Sequence, residues 1–143
     1  MAVTGCNFVR FGRSGLQAIR KYWPDDIGSQ FELRRQALKL RFWDQRHTHG
    51  RGLLFDLSYE RIKGARSDDI YELRVDDEVG GQANIRIVMF DPPAGWQPMP
   101  DHERPMRIVW VLEVMPKKRD DWTKNDFTRF HAARLVIKTR LYR

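Results

Sequence analysis

The sequence contains little that would serve disulfide formation, secretion or membrane insertion. Its 143 residues include a single cysteine, Cys6, which cannot form an internal disulfide or build a metal cage alone. No window approaches the roughly 18 uncharged apolar residues that a membrane span requires. The first 11 residues lack the basic start and long apolar run of a signal peptide. We therefore expect a cytoplasmic protein that does not contact a membrane.

Acidic residues are fewer than basic ones, and the difference is uneven along the chain. Lys and Arg total 26 against 19 Asp and Glu, a formal net charge of +7. Residues 1–75 hold 14 basic and 9 acidic side chains, residues 76–105 hold 2 and 6, and residues 106–143 hold 10 and 4. Two basic flanks around an acidic middle indicate a surface for a polyanion, above all nucleic acid. A solvated basic surface without a ligand is the alternative.

The first part of the chain predicts one strand followed by two helices. Residues 7–11 have the short, β-rich composition of a strand. Ser14 followed by Gln17 fits a capping box at the start of a short helix. A second helix, residues 27–43, begins after Pro24. Its predicted buried stripe is Ile27, Phe31, Arg34, Leu38 and Phe42, supplemented by Leu33, Ala37 and Leu40.

A loop at residues 47–52 contains two histidines, His47 and His49. A pair of this kind supplies half of a metal site at most, and the chain has only four histidines and one cysteine. Plain loop histidines are the alternative. We predict neither a bound metal nor a cofactor.

The period of the apolar residues changes to two in the second half of the chain. Residues 70–76 and 84–89 predict two strands joined by a turn, where glycines 80 and 81 can take positive φ. Residues 91–105 hold five of the seven prolines and predict a long exposed loop. Residues 106–115 are apolar on both faces, which is typical of a strand in the middle of a sheet.

A carboxy-terminal helix, capped by Thr123 or Asn125, completes the chain. Its predicted buried stripe is Phe127, Phe130, Ala133, Ile137 and Leu141. The order β-α-α-β-β-β-α predicts a small α+β fold, a single domain over residues 1–143. We expect a four-stranded, mainly antiparallel sheet with residues 106–115 central. Helices on one face would leave the other face open and polar.

The expected register collects charged side chains on that open face. The apolar positions of the two alternating strands, from Tyr71 and Ile85 onward, point toward the helices. Glu72 and Arg74 then share the opposite face with Asn84 and Arg86. This cluster is the first feature of the sequence that suggests chemistry.

Four short segments follow one another in an order typical of a known family. Ile62-Lys63-Gly64 precedes Ile-Tyr-Glu-Leu-Arg-Val at residues 70–75, Ile-Arg-Ile-Val follows at 85–88, and the apolar strand ends in Met-Pro-Lys-Lys at 115–118. Together these segments resemble the motifs of the RelE/HigB-like toxins, most closely the phage-derived HigB-like branch. The resemblance covers about residues 8–140 in element order, and residues 62–90 and 108–119 in motif.

The resemblance implies a toxin of a type II toxin–antitoxin pair. Members of the family are small basic ribonucleases that cut messenger RNA, usually on the ribosome. The implied antitoxin is encoded by a neighbouring gene and is expected to be acidic or to contain a helix-turn-helix. The implied cleavage is independent of metal: the RNA's own 2′-hydroxyl attacks the adjacent phosphate. Such chemistry needs a base, cations around the phosphate and an acid for the leaving oxygen.

Five residues are candidates for these catalytic roles. Arg74 and Arg86 can hold one phosphate between their guanidinium groups. Lys118 adds a cation at the end of the apolar strand. Glu72, the one carboxylate on the predicted open face, is the candidate base, and His131 on the last helix is the candidate acid.

Further residues are expected to bind RNA without taking part in the chemistry. They are Lys63, Arg66, Lys117, Arg119 and Tyr142. Trp122, like Tyr142, is free to stack on an RNA base.

Each assignment has a simpler alternative. Glu72 can form cross-strand ion pairs with Arg74 and Arg86, residues 117–119 can be a solvated turn, and His131 can be a surface residue. The loop of residues 91–105, which departs from the compact relatives, can lie beside the active face or be where an antitoxin docks. For the whole chain, the alternatives to a ribonuclease are a non-catalytic module that binds RNA, ribosome or protein, and a prophage structural or accessory protein.

Overall fold

The computed structural model of the protein describes residues 6–38, 59–65, 67–92, 106–117 and 121–141. These residues form five strands and three helices in the order β-α-α-β-β-β-β-α, which confirms the predicted α+β class. The elements are β1 (Cys6–Phe11), α1 (Arg13–Tyr22), α2 (Ile27–Ala37), β2 (Tyr59–Arg61), β3 (Ile70–Val75), β4 (Ile85–Phe90), β5 (Met106–Pro116) and α3 (Lys124–Leu141). Within this part of the chain no helix has the length and apolarity needed to cross a membrane.

The strands form one mixed sheet in the order β1-β5-β4-β3-β2. β1 runs parallel to β5, and the other neighbours are antiparallel. The prediction of four strands is wrong, because β2 adds a fifth at the edge beside β3. β5 is an interior strand, as its two apolar faces indicate, but the middle position belongs to β4. β2 spans three residues, too few to produce a periodic pattern in the sequence.

The β3–β4 hairpin forms with the expected register. Arg74 lies directly opposite Arg86 across the two strands, so both side chains point to the same face. Gly80 and Gly81 in the connecting turn adopt φ of 58° and 79°, a region open to glycine at no steric cost.

Helices cover both faces of the sheet, so the prediction of one open face is wrong. On one face, α1 and α2 close a core cluster that includes Ile19, Trp23, Leu33, Leu73 and Ile87. On the other face, α3 closes a second cluster that includes Val88, Phe90, Leu112, Phe130 and Ile137. Val88, Phe90 and Leu112 make this second face of the sheet too hydrophobic to remain exposed to water.

A β-bulge in β5 overturns the predicted alternation of that strand. Val88 pairs with Glu113 and the next residue, Met89, pairs with Val111, so Leu112 is the extra residue. Beyond the bulge the faces exchange. Val114 joins the α1–α2 cluster, and Glu113 turns toward α3, where it accepts a hydrogen bond from Arg129.

The N-termini of the first two helices are capped in different ways. The predicted capping box of α1 is wrong: the N-cap is Gly12, and the Ser14 hydroxyl donates to the Leu112 carbonyl at 2.7 Å. In α2, the Asp26 carboxylate caps the helix by accepting from the Ser29 N–H at 3.0 Å.

The buried stripe predicted for α2 is also wrong in part. Ile27 and Phe31 are 66% and 62% exposed, whereas Leu33 and Ala37 are fully buried. The side of α2 that packs against the sheet is therefore the one that carries Leu33 and Ala37, not the one that carries Ile27 and Phe31. Residues 39–43 of the predicted helix lie outside the described residues.

The cap of α3 follows the sequence, and one position of its buried stripe does not. Thr123 caps the helix, its hydroxyl accepting from the Asp126 N–H at 3.2 Å. Leu141 is exposed rather than buried. Arg134 is buried and forms two hydrogen bonds of 2.7 Å to the Asp69 carboxylate, which precedes β3. This ion pair joins α3 to the sheet.

Gly15 permits the close approach of α1 to β5, and its replacement by alanine is expected to destabilise the fold. A Cβ at this position would lie 2.7 Å from the Val111 carbonyl oxygen. The helix would have to move, which typically lowers the free energy of unfolding by about 1–3 kcal/mol. Gly28→Ala in α2 is the matched control, because its Cβ would meet only Asp26 at 3.9 Å. Urea unfolding should show Gly15→Ala weakened and Gly28→Ala unchanged or up to about 1 kcal/mol more stable; equal curves would contradict the packing described.

Candidate nucleic-acid interface

A groove of about 420 Å³ lies between strands β2 and β3 and the chain that leads into α3. We call it the charged groove. Among the described residues, four cationic and three acidic side chains line it. The ones used below are Glu60, Lys63, Glu72, Arg74, Lys117 and Trp122.

The two arginines predicted to share a phosphate lie opposite one another, and each points to a different carboxylate. Like charges in directly opposed positions repel unless a counter-charge is present. Arg74 Nη2 lies 2.7 Å from Glu60 Oε1, and Arg86 Nε lies 3.7 Å from Glu72 Oε2. The cross-strand pair Arg86–Glu72 thus exists as a long contact, while Arg74 turns to β2 instead of Glu72. The exposed Arg74 lines the charged groove, and Arg86 lies beside it, more deeply buried.

Glu72 is buried, with 6% of its surface exposed, and is held by an indole. The Trp122 Nε1–H donates to Glu72 Oε2 at 3.1 Å. The Arg86 Nε atom beside it is buried and has no hydrogen-bond partner. The Glu72 carboxylate is therefore held in place by Trp122, and the Arg86 Nε–H beside it lacks a hydrogen-bond acceptor.

Trp122 is not free to rotate, which corrects the expectation of a freely stacking side chain. Its ring meets Phe130 edge to face, with centroids 5.0 Å apart at 82°. The Lys117 ammonium lies over the indole, 4.8 Å from the ring centroid. With the bond to Glu72, these contacts hold the indole in place and keep Lys117 beside it in the lining of the groove. Lys63 also lines this groove.

His131 is not brought together with the other candidates. It is half-buried on α3, and its Nδ1 atom is buried with no hydrogen-bond partner. It does not line the charged groove. In the described part of the chain, no hydrogen bond or ion pair joins it to Glu72, Arg74 or Arg86.

Several predicted residues lie outside the described residues. They are Arg66, Lys118, Arg119 and Tyr142, together with the loop histidines His47 and His49 and residues 93–105. In the part of the chain that is described, no group of three or more His, Cys, Asp and Glu side chains is placed to hold a metal ion.

An ion-pair network lies at the start of α3, directly after Trp122 in the chain. Burial alone would raise the pKa of the Asp126 carboxyl, but hydrogen bonds from the Thr123 N–H and from Arg129 outweigh it and lower that pKa. Arg129 also contacts Glu113 at 3.1 Å. Burial opposes the charge of Arg129, yet its bonds to Glu113 and Asp126 leave its pKa raised. The network ties the first turn of α3 to β5.

Glu60 is a residue of the groove that the sequence did not single out. It belongs to β2 and lies opposite Glu72 in the register. The three residues Tyr59, Glu60 and Arg61 are too few to produce a periodic pattern, so no signal in the sequence would have placed Glu60 there. Without that strand nothing in the sequence relates Glu60 to Arg74.

Comparison of the chain with models of protein families, with curated proteins and with solved structures finds no match.

Proposed function

We propose that the protein is an endoribonuclease that cuts single-stranded messenger RNA in the charged groove. The observation that carries this proposal is the convergence of Arg74, Lys63 and Lys117 around the fixed carboxylate of Glu72 in one groove. Cations of this number can neutralise a phosphate and the charge that develops on it during cleavage. The basic balance of the chain adds a sequence-independent attraction for RNA.

The proposed cleavage uses side chains alone. Arg74 binds the scissile phosphate through its planar fork, and Lys63 and Lys117 neutralise its oxygens. Glu72 accepts the proton of the 2′-hydroxyl, whose oxygen then bonds to the adjacent phosphorus. The bond from phosphorus to the 5′-oxygen breaks, and that oxygen takes a proton from the Lys117 ammonium. The products are a 2′,3′-cyclic phosphate and a 5′-hydroxyl end. Lys117 takes the acid role because it lines the groove and His131 does not.

The biological setting of this proposal comes from the family resemblance. The enzyme would be the toxin of a type II pair, of the phage-derived branch, acting on ribosome-bound messenger RNA in the cytoplasm. An acidic antitoxin encoded by a neighbouring gene would restrain it. Such a partner is complementary to the net charge of +7.

A second candidate is a non-catalytic module that binds RNA, ribosome or protein through the same groove. The observation that favours it is the internal pairing of the charges. Arg74 already contacts Glu60 at 2.7 Å, and Glu72 already accepts from Trp122 at 3.1 Å. Both groups would have to exchange these partners for substrate before reacting.

Incubation of the purified protein with translating ribosomes is the test. We expect messenger cuts that end in cyclic phosphate, and cleavage that persists in a metal chelator. Glu72→Gln is expected to slow cleavage without weakening RNA binding, since glutamine keeps the shape and can still accept from Trp122 but is a poor base. Cut sites are mapped by primer extension, and binding is measured by filter retention.

Two results would contradict the proposed ribonuclease activity and distinguish it from the non-catalytic binding module. A parent protein that binds RNA in a salt-dependent way without cutting it supports the non-catalytic module. Cleavage by Glu72→Gln at the parent's rate removes the base from the mechanism. Gln17→Ala, an exposed change in α1, is the control for handling and purity.

A further inference from the structure

A second groove, of about 380 Å³, lies next to the charged groove. The two grooves share Lys117, Asp121 and Trp122. Tyr22, the last residue of α1, supplies a second aromatic side chain to its wall. We call it the aromatic groove. A ligand in one groove is therefore in direct continuity with a ligand in the other, across the indole of Trp122.

The aromatic groove is balanced in charge, unlike the charged groove. Among the described residues its cations are Lys117 and Arg129, and its acids are Asp121 and Asp126. Arg129 is already engaged by Asp126 at 2.7 Å and by Glu113 at 3.1 Å. A phosphate would find no unengaged arginine here, and the two carboxylates would repel it. The groove favours an uncharged group.

The walls of the groove suit a flat, polar ring. Trp122 is held in one orientation by its bond to Glu72 and by Phe130. Lysine ammoniums lie over both aromatic rings, Lys117 4.8 Å from Trp122 and Lys21 5.2 Å from Tyr22. Flexible lysine stems can leave a ring face for a phosphate and expose the ring for stacking. Asn125, also on the wall, offers an amide donor and acceptor for a base edge.

We propose that the aromatic groove binds one unstacked nucleobase of single-stranded RNA. The base belongs to the nucleotide next to the phosphate held in the charged groove, and Lys117 lies between the two sites. This inference rests on the proposed function, because it requires RNA in the charged groove. It adds a base-binding subsite that the charge pattern of the sequence does not reveal.

Two probes of equal charge separate base binding from phosphate binding. One is a fluorescein-labelled heptamer of single-stranded 2′-O-methyl RNA, which cannot be cut by 2′-hydroxyl attack. The other is the same heptamer with every base removed. Fluorescence anisotropy of the full-length protein should give affinities roughly 5- to 100-fold tighter for the probe with bases, the scale of a single base stacked on an aromatic side chain.

Variants locate the effect. Tyr22→Leu keeps an apolar side chain at a half-buried position and removes the ring, so most of the preference for bases should disappear. Asn125→Ala, an exposed change that leaves packing intact, should reduce the preference as well. Phe8→Leu removes an exposed aromatic ring of β1 outside both grooves and should leave the preference unchanged. Lys63→Ala should weaken both probes by the same factor.

The outcomes distinguish the two proposals. Equal binding of both probes by the parent overturns the base subsite and leaves the phosphate groove in place. Full preference retained by both Tyr22→Leu and Asn125→Ala also overturns it. Failure of the parent to bind either probe overturns RNA binding altogether, and with it the proposed function.

Discussion

Replacing Arg74 with alanine is expected to slow RNA cleavage by a factor on the order of 10²–10³ at saturating RNA, the usual scale for a donor aimed at developing charge. The guanidinium lines the charged groove and is 46% exposed, so it can reach a phosphate without rearrangement of the core. Its pair with Glu60 is a surface ion pair, and such pairs contribute at most about 1 kcal/mol to stability. Folding should therefore survive the change, and single-turnover cleavage rates report the chemistry.

Two comparisons isolate the role of the guanidinium. Arg10→Ala removes the same charge from β1, at the opposite edge of the sheet, and should weaken RNA binding slightly while leaving the saturated rate unchanged. Arg74→Lys keeps the charge and loses the planar fork, so an intermediate rate is expected. Parent-like cleavage by Arg74→Ala would show that Arg74 is only a solvated sheet residue.

Replacing Arg134 with alanine is expected to lower the free energy of unfolding by about 3–5 kcal/mol, because it leaves a buried carboxylate unpaired. Asp69 and Arg134 are both buried, and two hydrogen bonds of 2.7 Å join them. The Arg134 guanidinium also lies 5.1 Å from the centroid of the Phe90 ring. Replacing Arg134 therefore removes packing against Phe90 as well as the ion pair with Asp69.

A double-mutant cycle in urea tests this. Asp69→Ala combined with Arg134→Ala should be less destabilising than the sum of the single changes, since neither charge is then left buried alone. Arg35→Ala is the matched control, because its pair with Glu32 leaves Arg35 65% exposed, so the urea midpoint should change little. An Arg134→Ala variant with the parent's urea midpoint would contradict the buried pair.

Local patterns of the sequence predicted the hairpin that carries the two arginines. Strict alternation over β3 and β4 and two adjacent glycines determined the register, and Arg74 and Arg86 do lie on one face. The cap of α3 was equally readable, because Thr123 and Asp126 satisfy each other's N–H groups within one turn. These features depend on neighbours in the chain, where period and hydrogen bonding are visible.

The composition of the charged groove was only partly readable. Lys63, Glu72, Arg74 and Lys117 were singled out from the sequence, and all four line the groove. Glu60 was not, because the three residues of β2 carry too little pattern to reveal a strand. Without that strand, no sequence argument relates Glu60 to Arg74. The alternative in which Arg74 pairs with Glu72 therefore named a different carboxylate from the one that Arg74 contacts.

The sequence by itself determined the α+β class, the β3–β4 register and the basic character of the surface, because periodicity, turn residues and charge are properties of short segments. Only the tertiary structure decided that α3 covers the second face, that β1 runs parallel to β5, and that Trp122 lies between two grooves. Each of these depends on contacts between residues far apart in the chain. Trp122 and Glu72, for example, are 50 positions apart and meet through one hydrogen bond. Such pairings follow from how the apolar faces of whole elements are buried together, which no local pattern records.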